Sequence, residues 1–251
     1  MTRVKQRIYA GNTLDICIMH TGKSDIGSRN PRPRERFKTE EDRKIFNNKR
    51  AFRNCIRLVN ENFTPNGYYI TLTFDDENEI YNFEDARKIR DNFRRRIKYK
   101  CRNDSFIIFM GRGSKTARIH FHMIYVGNNI DYVLSQWKYG KIRECRHLRE
   151  HNIDSDTGLD LGQDYSALVT YLWNHWTDEQ GGQHCLHTRN MKKPYKEKAL
   201  ECKRYYSPEK PPKAPLGYKY IKCTANTEYG YQCFHYVVIP KPLEIVEKLI
   251  I

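Results

Sequence analysis

The sequence predicts an α+β fold in which an antiparallel β-sheet is flanked by helices. Segments that alternate apolar and polar residues, as strands do, are mixed with segments whose apolar residues recur at the helical period. The strand segments come as hairpins and not at the regular spacing of βαβ units, which favours antiparallel pairing. By composition, the 251 residues divide into an N-terminal hairpin and basic arm at 1–38, a core at 39–182, and a basic C-terminal extension rich in tyrosine and proline at 183–251.

The N-terminal part begins with a predicted hairpin at 6–19. Aliphatic and polar residues alternate between 14 and 18, and Ala-Gly-Asn at 10–12 supplies the turn. Glycine, proline and several basic residues follow at 20–38. This composition is typical of an arm that becomes ordered only when it meets phosphate.

Four helices are predicted in the core. Thr39 is the N-cap of the first, with Asp42 three residues later, and its apolar stripe runs to Phe63. A second basic helix runs from about Phe83 to Tyr99, and shorter ones are predicted at 131–137 and 164–176. Strands are predicted at Tyr68–Phe74, at Phe106–Met110, within Arg112–Val126 and from about Gly140.

The stretch Arg112–Val126 carries the most informative pair of residues, His120 and His122. Residues two apart in a strand point to the same face of the sheet, so the two imidazoles lie side by side. They either bind one metal ion through neutral nitrogens or simply line a half-polar face. The basic loop before them and a tyrosine-bearing helix further on favour the metal site.

The charge of the chain predicts a polyanionic partner. There are 45 lysines and arginines against 30 acidic residues, a net charge of +15. No apolar run has the length of a membrane span and the N-terminus lacks a signal-peptide core, so we expect nucleic acid, no membrane and a cytoplasmic location. The tyrosines among the lysines of the C-terminal extension either stack bases or pack a small core.

The same residues predict phosphoryl transfer. A divalent ion on the two histidines can neutralise the non-bridging phosphate oxygens, and Tyr171 can supply the nucleophile. The basic side chains near the histidines would hold the nucleic acid strand; they are Arg112, Lys115 and Arg118.

A known family shares these motifs. The stretch G-S-K-T-A-R-I-H-F-H at 113–122 resembles the histidine–hydrophobe–histidine motif of HUH endonucleases, which initiate rolling-circle replication in microvirus bacteriophages and plasmids of Gram-positive bacteria. The similarity extends to A-G-N-T-L-D at 10–15, Y-I-T-L-T-F-D-D at 69–76, the Tyr171 helix, and T-R-N-M-K-K-P at 188–194.

This resemblance implies a five-stranded antiparallel sheet and a nuclease that acts on single-stranded or hairpin DNA. His120 and His122 would hold Mg²⁺ or Mn²⁺, and Tyr171 would form a covalent 5′-phosphotyrosine link. It further implies a bacterial host cell and host or element-encoded replication proteins as possible partners.

Two positions differ from the family pattern. Gly111 stands where the family has a glutamate ligand, and Asn174 stands where it has a lysine three residues after the tyrosine. We therefore expect a third ligand from elsewhere in the chain, and Tyr165 is an alternative nucleophile on the same helix. A non-cleaving protein that binds DNA, RNA or a protein partner remains the alternative to the enzyme.

Overall fold

The computed structural model describes residues 2–21, 39–113, 118–175, 184–226 and 231–238. Within these ranges the chain forms two antiparallel sheets and four α-helices, so the predicted α+β fold with helices flanking an antiparallel sheet is confirmed. None of the described helices has the length and hydrophobicity that crossing a membrane requires.

The five-stranded sheet forms the centre of the core. Its strands, in spatial order, are β6 (Ile142–His147), β3 (Tyr68–Thr73), β5 (Ile119–Val126), β4 (Ser105–Arg112) and β7 (Cys185–His187). The helices are α1 (Glu40–Asn62), α2 (Phe83–Lys100), α3 (Ile130–Ser135) and α4 (Ser166–Asn174).

Each face of this sheet is covered by a different pair of helices. On one face Phe121 and Met123 pack against α2 and α3. On the other face Tyr69, Phe109 and Ile124 pack against α1 and α4. Because side chains alternate along β5, His120 and His122 lie on the second face, under α4.

The six-stranded sheet joins the two ends of the chain. The predicted hairpin forms β1 (Thr2–Ala10) and β2 (Thr13–Thr21), and the C-terminal segment supplies β8 (Tyr195–Lys196), β9 (Leu200–Glu201), β10 (Tyr218–Asn226) and β11 (Tyr231–Val238). The order is β10-β11-β2-β1-β8, with β9 also paired with β1. The predicted basic arm lies mostly outside the described residues.

Most of the described tyrosines of the C-terminal extension pack the core of the six-stranded sheet. Tyr236 is buried, and Tyr206, Tyr218 and Tyr220 pack around it, whereas Tyr205 is exposed. Core packing therefore accounts for more of this tyrosine pattern than a base-stacking surface does.

A buried polar network connects the six-stranded sheet to α1 and to the start of α4. Arg57 of α1 donates from Nε to Asp15 of β2 at 2.6 Å, and His235 of β11 lies between two carboxylates, 2.7 Å from Asp15 and 2.9 Å from Asp164. Asp164 also accepts hydrogen bonds from Asn60 of α1 and from the backbone N–H of Ser166, the first residue of α4. The network thereby fixes the start of α4 relative to α1 and the six-stranded sheet.

Candidate metal centre

Three histidines meet between β5 and the end of α4. His175, which follows α4 directly, joins His120 and His122, and one ring nitrogen from each lies within 4.8 Å of the other two. The ring centroids of the two strand histidines are 4.7 Å apart, and those of His122 and His175 are 5.5 Å apart. The predicted pair therefore acquires a third imidazole from another element.

Hydrogen bonds orient His122 so that one nitrogen remains available. Its Nδ1 lies 2.8 Å from the hydroxyl of Tyr69 and 3.3 Å from that of Thr71, both on β3. Its Nε2 is buried and has no hydrogen-bond partner. An unpaired buried polar atom destabilises the fold unless a ligand satisfies it, so Nε2 is a suitable metal ligand.

The other two imidazoles are also held in place. Nδ1 of His175 lies 2.8 Å from the carbonyl oxygen of Tyr171, one helical turn earlier, which leaves Nε2 directed away from the helix backbone. The backbone of Arg118 forms a hydrogen bond to His120. Such outer contacts fix the ring orientation of metal-ligating histidines.

The electrostatics of the cluster keep His120 and His122 neutral. Burial, together with the neighbouring His120 and His175, lowers the pKa of His122 to about 3. Burial likewise lowers the pKa of His120. Near neutral pH the rings of His120 and His122 are therefore neutral, and each has one nitrogen whose lone pair can bind a metal ion.

The donor set fits a divalent ion after a small adjustment. Nitrogens that share a tetrahedral ion at about 2.0–2.1 Å are about 3.3 Å apart, so the rings have to close together slightly from the 4.8 Å spacing. The cluster contains no carboxylate among the residues that the structure describes. Imidazole nitrogens suit transition metals, whereas Mg²⁺ prefers oxygen ligands.

The position of His175 explains the glycine at 111. Gly111 pairs with His120 across β4 and β5. A Cβ at 111 would lie 3.0 Å from Nε2 of His120 and 3.1 Å from Cβ of His175. These contacts are tighter than most real Cβ contacts, so a side chain at 111 would require His120 and His175 to shift by a few tenths of an ångström.

Tyr171 lies beside the cluster with its side chain partly in solvent. It is 51% exposed, and its ring centroid is 4.3 Å from that of His175 and 6.0 Å from that of His122. Tyr165, by contrast, is only 1% exposed and precedes α4 as its N-cap residue. Asn174 is exposed at the end of α4.

The two predicted DNA-binding residues that the structure describes, Arg112 and Arg118, both contact other groups of the protein. Arg112 donates to the carbonyl of Tyr81 at 3.0 Å and lies over the ring of Phe83. Arg118 forms ion pairs with Asp76 and Glu79, which reduces the positive charge it offers to phosphate. Lys115 lies outside the described residues.

Sequence reasoning did not identify His175 as a ligand. Its one signal was the spacing of four residues from Tyr171, which places the two side chains on one helical face. That helix face meets β5 only through tertiary packing, which spacing does not reveal. No protein-family model, curated protein or solved structure matches this chain.

Proposed function

We propose that this protein is a metal-dependent nickase and strand transferase of the HUH type, acting on single-stranded or hairpin DNA. One observation carries the proposal: the exposed phenol of Tyr171 lies one helical turn from His175, beside three imidazoles that can share an ion. A metal site with three protein ligands keeps an open position for substrate.

In the proposed reaction the phenolic oxygen of Tyr171 attacks a backbone phosphorus. The new bond joins phosphorus to Tyr171, the bond from phosphorus to the 3′ oxygen breaks, and the phenolic proton is lost to solvent while the leaving oxygen becomes a 3′-hydroxyl. When bound to the three histidines, a divalent ion supplies positive charge to the phosphate oxygens. Attack by the 3′-hydroxyl on the 5′-phosphotyrosine link reverses the reaction and rejoins the strand.

The ligand set favours Mn²⁺ over Mg²⁺ as the activating ion. Three nitrogens and no carboxylate give little affinity for a hard cation that keeps its water. Asn174, one residue from His175, can donate an amide hydrogen bond to phosphate but brings no charge. Within a bacterial host cell, such an enzyme would start rolling-circle replication together with host or element-encoded replication proteins.

The decisive experiment is covalent trapping. End-labelled single-stranded DNA and Mn²⁺ should give a protein–DNA adduct on a denaturing gel, and peptide mass spectrometry should locate it on Tyr171. Tyr171→Phe should abolish the adduct, whereas Tyr205→Phe, which alters an exposed tyrosine of the C-terminal extension, should retain it. An adduct that persists in Tyr171→Phe would contradict the assignment.

A binding protein without cleavage is the second candidate, and two observations favour it. Asn174 is uncharged, and Arg118 is paired with acidic residues, so the surroundings of Tyr171 have less positive charge than phosphoryl transfer usually uses. Tight binding of DNA, RNA or a protein partner with no adduct in any variant would support this reading.

A further inference from the structure

A cavity of about 360 Å³ lies next to the histidine cluster, between β6 and the beginning of α4. Its size is within the range of small-ligand sites. The wall includes aromatic rings and charged side chains, among them Tyr69, Glu144, Arg146, Arg149, Tyr165 and Tyr171. We refer to it as the β6–α4 cavity.

An unpaired hydroxyl belongs to this cavity. Tyr165 lines it, is 1% exposed, and has a buried phenolic oxygen without a hydrogen-bond partner. Burial raises the pKa of Tyr165 to about 12, so the hydroxyl keeps its proton and can donate. Buried hydroxyls are nearly always paired, and a polar ligand in the cavity would provide the missing partner.

The opposite wall is suited to a flat, polar molecule. Glu144 and Arg146 lie two apart on β6 and therefore point to one face, and the guanidinium of Arg146 is 5.2 Å from the ring centroid of Tyr69. Arg146 and Glu144 form an ion pair at 2.5 Å. Tyrosine rings and guanidinium planes are the surfaces on which unstacked nucleobases lie.

The cavity adjoins the candidate metal centre directly. Tyr69 lines the cavity, and its hydroxyl forms a hydrogen bond with His122. Tyr171 also lines the cavity, and its ring contacts that of His175. Thr71 pairs with both His122 and Glu144, so these residues form one row across three strands. Two strand spacings, about 10 Å, therefore separate His122 from Glu144.

We infer that the β6–α4 cavity binds one unstacked nucleobase of the strand whose phosphate lies at the histidines, and that guanine is preferred. The carboxylate of Glu144 can accept from N1–H and the amino group of guanine, while Arg146 can donate to O6 and N7. Adenine, cytosine and thymine each lack part of this pattern. The inference rests on the proposed function for the position of the strand.

The test compares two strands on a protein that cannot cleave them. Fluorescence anisotropy with Mn²⁺ and the full-length Tyr171→Phe variant measures binding of a ten-residue thymidine strand and of the same strand with one central guanine. The guanine strand should bind about 10-fold more tightly, within the 1–3 kcal/mol range of a bidentate base contact. Equal affinities would overturn the inference.

Two further substitutions test whether a preference for guanine arises from the β6–α4 cavity and not from another part of the protein. Glu144→Gln should reduce the affinity ratio of the guanine strand to the thymidine strand to less than about twofold, whereas the control Glu201→Gln on β9 should keep this ratio. Tyr165→Phe should weaken only the guanine strand. A preference that survives Glu144→Gln and Tyr165→Phe would refute the assignment.

Different experimental results would contradict the nickase proposal and the guanine-binding cavity. Selective binding that disappears in the cavity variants while covalent trapping gives no adduct would leave the cavity assignment intact and contradict the nickase. Equal binding of both strands together with a Tyr171 adduct would contradict only the cavity. Absence of binding to either strand would contradict both.

Discussion

The buried network at His235 should make the stability of the protein depend on pH. Two cations, Arg57 and protonated His235, are balanced there by two anions, Asp15 and Asp164. Burial alone would lower the pKa of His235, but hydrogen bonds and the charges of the two carboxylates raise it to about 10 from the ordinary 6.5. Burial alone would raise the pKa of Asp15, yet its partners lower it to about 2 from 3.8.

The size of the effect follows from these shifts. At about 1.4 kcal/mol per pH unit, the shift of His235 corresponds to about 5 kcal/mol and that of Asp15 to about 2 kcal/mol. The contribution of Asp15 is lost only when the pH falls below about 4, so the loss at high pH is set by His235 and amounts to at most about 5 kcal/mol. Because the pKa of His235 is raised on folding, this stability is fully present below pH 6.5 and is lost as the pH rises towards 10.

Cys17, in the same network, titrates in the opposite sense to His235, so Cys17 and its hydrogen-bond partner Cys233 are replaced for this test. The hydrogen bond with Cys233, with the charge of Arg57, lowers the pKa of Cys17 to about 7 against the effect of burial. A lowered pKa adds stability as the pH rises from 7 to 9. The comparison is therefore made in Cys17→Ala/Cys233→Ala protein.

Urea unfolding at a series of pH values measures the effect. In the Cys17→Ala/Cys233→Ala background the free energy of unfolding should fall by up to about 5 kcal/mol between pH 6.5 and 10, and His235→Gln should flatten this slope because glutamine does not titrate. The slope is measured against the same background with His151→Gln, which alters an exposed histidine. An equal slope with and without His235 would show that His235 is not the source of the pH dependence.

Four further outcomes follow from the structure. Replacing both His120 and His122 with alanine should abolish Mn²⁺ binding by calorimetry while circular dichroism remains unchanged, and equal affinity would remove the site. Tyr69→Phe, which deletes the hydrogen bond to His122, should weaken Mn²⁺ binding about 10–100-fold, whereas Tyr68→Phe should not. Gly111→Glu should weaken Mn²⁺ binding on its own, but in a His175→Gly background, which removes the Cβ 3.1 Å from position 111, it should increase the affinity for Mg²⁺ because a carboxylate is an oxygen ligand. Binding to single-stranded DNA should fall steeply with salt, with log K losing about 0.7 per neutralised phosphate per tenfold rise in salt; a flat dependence would indicate a protein partner.

Local patterns were sufficient to predict most of the secondary structure. The hairpin, the capping box of Thr39 with Asp42, the strand at 68–73 and both long helices depend on residues close together in the sequence, and all of them are present. The α+β class follows from their order. Because these features depend on backbone propensity and side-chain periodicity, neighbouring residues contain the necessary information.

Local sequence patterns did not predict which distant strands pair with each other. The contact of β11 with β2 joins residues more than 200 positions apart, and neither strand has a pattern that selects the other. The burial of Tyr236 and the meeting of Arg57 with Asp15 and His235 result from that pairing. Alternation indicates which residues face inward, but not which strand lies alongside.

The histidine centre brings together residues that belong to different elements. A side chain at Gly111 would require both His120 and His175 to shift, because a Cβ there would lie 3.0 Å from Nε2 of His120 and 3.1 Å from Cβ of His175. The cluster of His120, His122 and His175 offers only nitrogen ligands among the described residues. Asp164 and Asn60 fix the beginning of α4 through the buried network, so the position of His175 depends on contacts with α1 and the six-stranded sheet. A protein of this construction would bind a softer ion than Mg²⁺ and would lose that ion when α4 is displaced.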